Sequence, residues 1–136
     1  MLFFVTVVAQ TIFATLPIDV AGHVLSHLFP LYYTLTALLC VASFVASLGM
    51  YPSPARKWLR AMQSALGLAS ALIWISWLVF LPIMDRIQSH IPSFSGPPTP
   101  LIERFFMYHG ISMLFNIIAM LLVLFSLIIH ALVAER

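Results

Sequence analysis

Four long runs of apolar residues follow one another along the chain, at about residues 1–16, 30–50, 58–84 and 101–133. A helix rises about 1.5 Å per residue and the hydrocarbon core of a bilayer is about 30 Å thick, so a spanning helix needs about 20 apolar residues. The three later runs reach this length, and the first is shorter. The pattern predicts an all-α fold: an integral membrane four-helix bundle with short loops, forming a single transmembrane domain over residues 1–136.

Prolines and capping residues indicate where the helices end. Pro17 closes the first run, and Asp19 is a candidate N-cap ahead of the second. Pro30 fits the start of a helix better than its middle, so we expect the second helix to begin there. A turn at residues 52–54 closes it, and Thr99 is the expected cap of the last helix. The shortness of the first run leads us to expect further residues upstream of its start.

Composition supports a surface that faces lipid. The chain of 136 residues is 62% hydrophobic and only 7% charged, against about 45–50% and about 25% in soluble domains. So few charges do not cover a water-facing surface. Half of the six basic residues stand together as Arg56, Lys57 and Arg60, whereas a nucleic-acid binder spreads basic residues over an exposed face. Nucleic acid is therefore excluded as a partner, and the lipid bilayer is expected.

The same basic cluster predicts the orientation of the helices. Arg56, Lys57 and Arg60 lie between the second and third runs, whereas the next loop carries Arg86 and Arg104, each beside an acidic residue. By the positive-inside rule the cluster is cytoplasmic. Both termini then lie in the cytoplasm, and we expect the membrane to be a bacterial inner membrane.

Small residues on two of the runs predict helix packing. The second run has Ser43 and Ser47 four residues apart, and the third has Gly67 and Ala71. Small residues at this spacing allow helix backbones to approach closely in lipid. We expect these two faces to touch each other, or to contact another protein.

Polar residues inside the last run mark a candidate site. His109, Met113, Asn116 and Met120 recur at helical spacing and share one face. One interpretation is a ligand site, since imidazole binds haem iron or copper and methionine binds copper. The competing interpretation is that His109 and Asn116 form hydrogen bonds to neighbouring helices and fix their register, and a proton relay is a third.

His23 and His27 form a second, weaker candidate for metal binding. They are spaced i, i+4, so that both rings can reach one metal ion from a helix. No third ligand stands at a diagnostic spacing, and ordinary histidines at the membrane interface are the alternative.

The sequence also contains two short stretches that resemble those of a known family. Residues 28–33 (Leu-Phe-Pro-Leu-Tyr-Tyr) and residues 109–116 (His-Gly-Ile-Ser-Met-Leu-Phe-Asn) are similar to motifs of a domain-of-unknown-function family of small membrane proteins related to human transmembrane protein 205. That family is distantly similar to copper-resistance-D-like proteins and to a haem-binding membrane oxidase of tetrapyrrole synthesis. The resemblance implies four membrane helices and directs attention to His109 and Asn116, but it implies no activity.

These observations lead to one leading hypothesis and one alternative. No catalytic motif for a hydrolase, a phosphate-binding loop or a metalloprotease is present in the sequence, so we expect no enzyme. The leading hypothesis is a non-catalytic accessory subunit that packs against other membrane subunits or against itself. The alternative is a membrane protein that binds haem b or copper through His109, with help from His23 or His27. A transporter component is a weaker third hypothesis.

Overall fold

The described part of the chain forms four helices. The computed structural model describes residues 3–49 and 56–134. Helix α1 covers Phe4–Thr15 and is π-helical over Phe4–Ala9, and α2 covers Ile18–Leu48. Helix α3 runs through Arg56–Ile75, a π-helical turn at Ser76–Phe80, and Leu81–Gln88. Helix α4 covers Pro100–Ala134. No strand occurs within these described residues, and the predicted all-α fold is confirmed.

Three of the helices have the dimensions of membrane spans. The segments Ile18–Leu48, Lys57–Gln88 and Pro100–Leu132 are long and apolar enough to cross a bilayer, whereas α1 is shorter. Large apolar side chains such as Leu39, Leu121 and Leu127 are exposed on their outer faces. Exposed apolar side chains on long helices are what an integral membrane protein requires.

The prediction that the second helix begins at Pro30 was wrong. Helix α2 begins at Ile18, directly after Pro17, and Pro30 lies inside it. Proline is tolerated inside membrane helices because neighbouring groups satisfy the backbone that it leaves open; here Pro30 has no N–H to donate to the carbonyl of Ser26, four residues earlier. Asp19 makes no capping hydrogen bond to its own helix, whereas Thr99 does cap α4 through the amide of Ile102. The predicted turn at residues 52–54 lies outside the described residues.

A second proline accounts for the π-helical turn of α3. Pro82 has no N–H to donate to the carbonyl of Leu78, four residues earlier. The turn over Ser76–Phe80 ends just before it, and the Leu81 amide donates to the carbonyl of Ser76. An inserted π turn is a common way for a helix to absorb such a break, and π turns are frequent at functional sites.

Helix α3 is the centre of the bundle, with α2 and α4 packed on either side of it. The main core cluster joins all three helices and consists of Tyr33, Ala37, Cys40, Ala69, Ile73 and Ala119. A second cluster toward the other end contains Met62, Leu66 and Ile129. The small residues of α3 in the core let its neighbours approach, which is the packing expected in lipid.

The predicted contact between α2 and α3 involves one small residue from each predicted pair. A Cβ atom on Gly67 would lie 3.3 Å from Cε2 of Phe44, so the α2 ring packs directly on this glycine. Ser47 is buried, and its carbonyl accepts a hydrogen bond of 2.9 Å from Nε2 of Gln63. Ser43 and Ala71, in contrast, are exposed. The contact therefore runs through Ser47 and Gly67, while Ser43 and Ala71 face outward.

Candidate functional site

Four polar side chains join α2 to α4 near the middle of the bundle. Nδ2 of Asn116 donates to Oη of Tyr33 at 3.0 Å and to the carbonyl of Ser112 at 2.8 Å. Oδ1 of Asn116 accepts from Oη of Tyr32 at 3.2 Å, and the hydroxyls of Tyr33 and Ser112 lie 2.8 Å apart. We call Tyr32, Tyr33, Ser112 and Asn116 the tyrosine–asparagine network. Its Asn116 amide has both hydrogens and its oxygen in use.

The network follows from local helix geometry. Ser112 and Asn116 are four residues apart on α4 and therefore share a face. Tyr33 and Ser112 are only 4% and 2% exposed, and a polar group in this apolar interior is costly unless it is hydrogen-bonded. These bonds fit the interpretation that Asn116 fixes the register of neighbouring helices.

His109 lies about two turns before Asn116 on the same helix and has a different environment. Its ring stacks in parallel on Phe105, with the centroids 5.9 Å apart and the planes 6° apart. Phe29 of α2 approaches it edge-on at 6.5 Å. Neither ring nitrogen forms a hydrogen bond with another residue in the described ranges. The imidazole is half-buried, held by aromatic contacts, and free to bind something else.

Three cavities meet at His109. The network cavity, of about 130 Å³, lies beside the tyrosine–asparagine network and is also lined by Phe4 and Met113. The α1 cavity, of about 370 Å³, lies between α1 and the bundle. The proline cavity, of about 420 Å³, lies between Pro30 and Pro82. The rings of His109 and Phe29 line all three cavities, and His109 is the one of the two that carries polar atoms.

His23 and His27 lie side by side but apart from this site. Their ring centroids are 4.7 Å apart, and Nδ1 of His27 lies 2.9 Å from the carbonyl of His23. Among the described residues, Nε2 of His27 has no hydrogen-bond partner. Within residues 3–49 and 56–134, no group of three or more His, Cys, Asp or Glu side chains is placed to hold a metal ion.

The sequence pattern did not predict two features of the site. The tyrosine partners of Asn116 were not identified, although two tyrosines inside an apolar run are a signal for buried hydrogen bonds. Asp19 was expected to cap α2, but it binds the loop between α3 and α4 instead, residues 89–99, which we call the third loop. Its carboxylate accepts from the Ser93 hydroxyl and from the Phe94 amide, both at 2.7 Å. Phe94 in turn packs on Phe105, whose ring stacks on His109.

Comparison with known proteins places the chain in a family. Residues 1–92 of the 136 match the model of a family described as Domain of unknown function (DUF4149). The match covers α1, α2 and α3, and it ends before α4 and its polar face. No curated protein and no solved structure has significant similarity to the chain. None of these findings supports the closer likeness to transmembrane protein 205 or to copper-resistance-D-like proteins. The chain belongs to the DUF4149 family of proteins, a family defined by a domain of unknown function.

Proposed function

We propose that this protein is a non-catalytic accessory subunit that packs against other subunits in a membrane. The observation that carries the proposal is the placement of small residues on α2. Ala42, Ser43 and Ala46 are exposed, and none of them is buried by another helix of the described residues. Ser43 satisfies its hydroxyl on its own helix, at the carbonyl of Leu39. A smooth strip of small side chains lets a further helix approach closely, which is how helices associate in lipid.

The tyrosine–asparagine network supports a structural role for the residues that form it. The Asn116 amide is fully bonded within the tyrosine–asparagine network. A catalytic group needs a free donor, acceptor or nucleophile beside its substrate, and such a closed network provides none. It is well suited to holding α2 against α4.

The experiment is purification from native membranes in mild detergent, followed by measurement of the mass of the particle. We expect co-purification with another subunit, or a homo-oligomer, at fixed stoichiometry. Ala46→Phe places a ring on the small face and should break the association. Leu127→Phe, at an exposed position on α4, is the control and should leave it intact. A monodisperse monomer from native membranes would contradict the proposal.

The proposed setting is a bacterial inner membrane with both termini in the cytoplasm. It is supported by the basic residues at the start of α3, Arg56, Lys57 and Arg60, since basic residues favour the cytoplasmic side. Reporter fusions before α1, after residue 136 and in the 89–99 loop test it. We expect a cytoplasmic signal from the first two fusions and a non-cytoplasmic signal from the third.

Copper binding through His109 is the second candidate, and one observation favours it. Met84, Met113 and Met120 line the network cavity together with His109. Thioether and imidazole groups are the donors that suit Cu(I). Metal analysis after loading with Cu(I), on the parent, His109→Phe and His130→Phe, tests the idea. Copper bound one to one and lost only in His109→Phe would support it, and an optical Soret band would support haem b in its place.

A further inference from the structure

The α1 cavity has the character of a ligand site. It lies between α1 and the bundle, holds about 370 Å³, and has walls that are almost wholly apolar. Its lining includes Phe13, Leu25, Phe94, Phe106 and Met113. Sites for small organic molecules are typically about 300–1,000 Å³ in volume, apolar, and furnished with a few polar groups that fix orientation.

The network cavity continues the same space toward the middle of the bundle. The two cavities share Phe4, Val5, Phe29, His109 and Met113 as wall residues. His109 therefore stands at the junction of a larger apolar chamber and a smaller one. Together they accommodate an elongated molecule whose polar part lies beside His109.

His109 is the group best suited to recognise that polar part. Its ring is fixed by the parallel stack on Phe105 and the edge contact with Phe29. A neutral imidazole has one N–H donor and one acceptor nitrogen, and neither is used within the described residues. The N–H group of His109 is therefore already oriented to donate a hydrogen bond to an oxygen atom in the cavity.

The position of α1 indicates where a ligand comes from. Helix α1 is the outer wall of both cavities and supplies Phe4 and Val5 to each of them. It is short and is joined to α2 by an extended link, with Leu16 at φ −121° and ψ 149° and Pro17 at φ −54° and ψ 145°. Apolar side chains are exposed on its outer side, among them Val7 and, directly before the helix, Phe3. We therefore expect a molecule dissolved in a bilayer to enter these cavities past α1.

We propose that the α1 cavity and the network cavity bind an apolar, membrane-dissolved molecule whose head carries a carbonyl oxygen that accepts a hydrogen bond from His109. A quinone ring and a lipid ester share this chemistry. The proposal goes beyond the accessory role proposed above and does not depend on it, because ligand binding is measured on the purified chain and assembly is measured in native membranes.

The test uses the full chain in lipid nanodiscs and three radiolabelled probes. A decyl-substituted benzoquinone and methyl decanoate carry the oxygen head, and decane lacks it. We expect saturable one-to-one binding of at least one oxygen-bearing probe and none of decane. Binding of only the quinone or only the ester identifies the source of the head group, and either result supports the site.

Two pairs of variants assign the binding to this site. His109→Phe keeps a ring to stack on Phe105 and removes both nitrogens, so binding should weaken about tenfold; His130→Phe, at an exposed histidine of the same helix, should bind like the parent. Ala9→Trp fills the α1 cavity and should abolish binding, whereas Thr11→Trp adds the same ring at an exposed position of α1 outside the cavity lining.

Four results would overturn the proposal. Two concern the head group: decane binds as well as the oxygen-bearing probes, or His109→Phe binds them as tightly as the parent. The other two are equal losses of probe binding in Ala9→Trp and Thr11→Trp, and a tightly bound copper ion that His109 holds in place of the probe. Melting curves of all four variants show whether each is folded. The His109 pair keeps the test decisive if Ala9→Trp does not fold.

Discussion

Asn116 and His109 lie on one face of α4, about two turns apart, but their side chains differ in hydrogen bonding. Asn116 has its whole amide bonded, to two tyrosines of α2 and to the carbonyl of Ser112. His109 has only ring contacts, with Phe105 and Phe29. The first arrangement is what a helix contact needs in lipid, where an open polar group is costly. The second leaves a polar group ready for a ligand.

The largest expected effect follows from removing the centre of the network. Asn116→Leu keeps the size of the side chain and removes three hydrogen bonds between or within α2 and α4. Since hydrogen bonds in membrane bundles contribute about 0.6 kcal/mol each and stranded partners cost more, we expect a loss of about 2 kcal/mol in the free energy of unfolding. Unfolding in mixed micelles measures it. A variant as stable as the parent would show that the network does not hold α2 to α4.

The two tyrosines should differ from each other. Oη of Tyr33 is buried and contacts both Asn116 and Ser112, whereas Oη of Tyr32 is part-buried and its bond within the network, to Oδ1 of Asn116, is 3.2 Å long. We expect Tyr33→Phe to lower the free energy of unfolding by about 1 kcal/mol and Tyr32→Phe by about 0.5 kcal/mol. The same micelle unfolding assay compares them. The reverse order would mean that burial and bond number do not govern this site.

His109→Phe should change stability least among the residues of the α4 face. It removes no hydrogen bond and keeps the stack on Phe105, so we expect a change within about 0.5 kcal/mol. His109→Ala removes the stack as well, and should cost about 1 kcal/mol. Measured beside Asn116→Leu, these two variants separate the contribution of the ring contacts to the free energy of unfolding from the contribution of the ring nitrogens. A large loss in His109→Phe would reveal a structural bond to His109 and would argue against a site there.

The sequence predicted the parts of this comparison that depend on a single helix. The all-α fold followed from apolar runs, because lipid permits little else, and the common face of His109 and Asn116 followed from their spacing. The start of α2 was misplaced, because Pro30 breaks an isolated helix more reliably than one with neighbours. The tyrosine partners and the free state of His109 depend on how α2 docks beside α4, and periodicity carries no information about that.

The smallest and most local effect is expected from Asp19, at the end of the site where His109 lies. It holds the third loop through the Ser93 hydroxyl and the Phe94 amide, and Phe94 packs on the Phe105 ring that supports His109. Asp19→Ala should release the loop, so hydrogen exchange at the Phe94 amide should become faster while the network around Asn116 keeps its protection.

Asp85→Ala is the control, because this exposed carboxylate at the same end of the bundle makes no side-chain hydrogen bond in the described part of the chain. Unchanged exchange at Phe94 in Asp19→Ala would mean that aromatic packing alone positions the loop over His109. Faster exchange confined to the loop would show that the two ends of this polar face are stabilised independently, one by buried hydrogen bonds and the other by a carboxylate at the membrane edge.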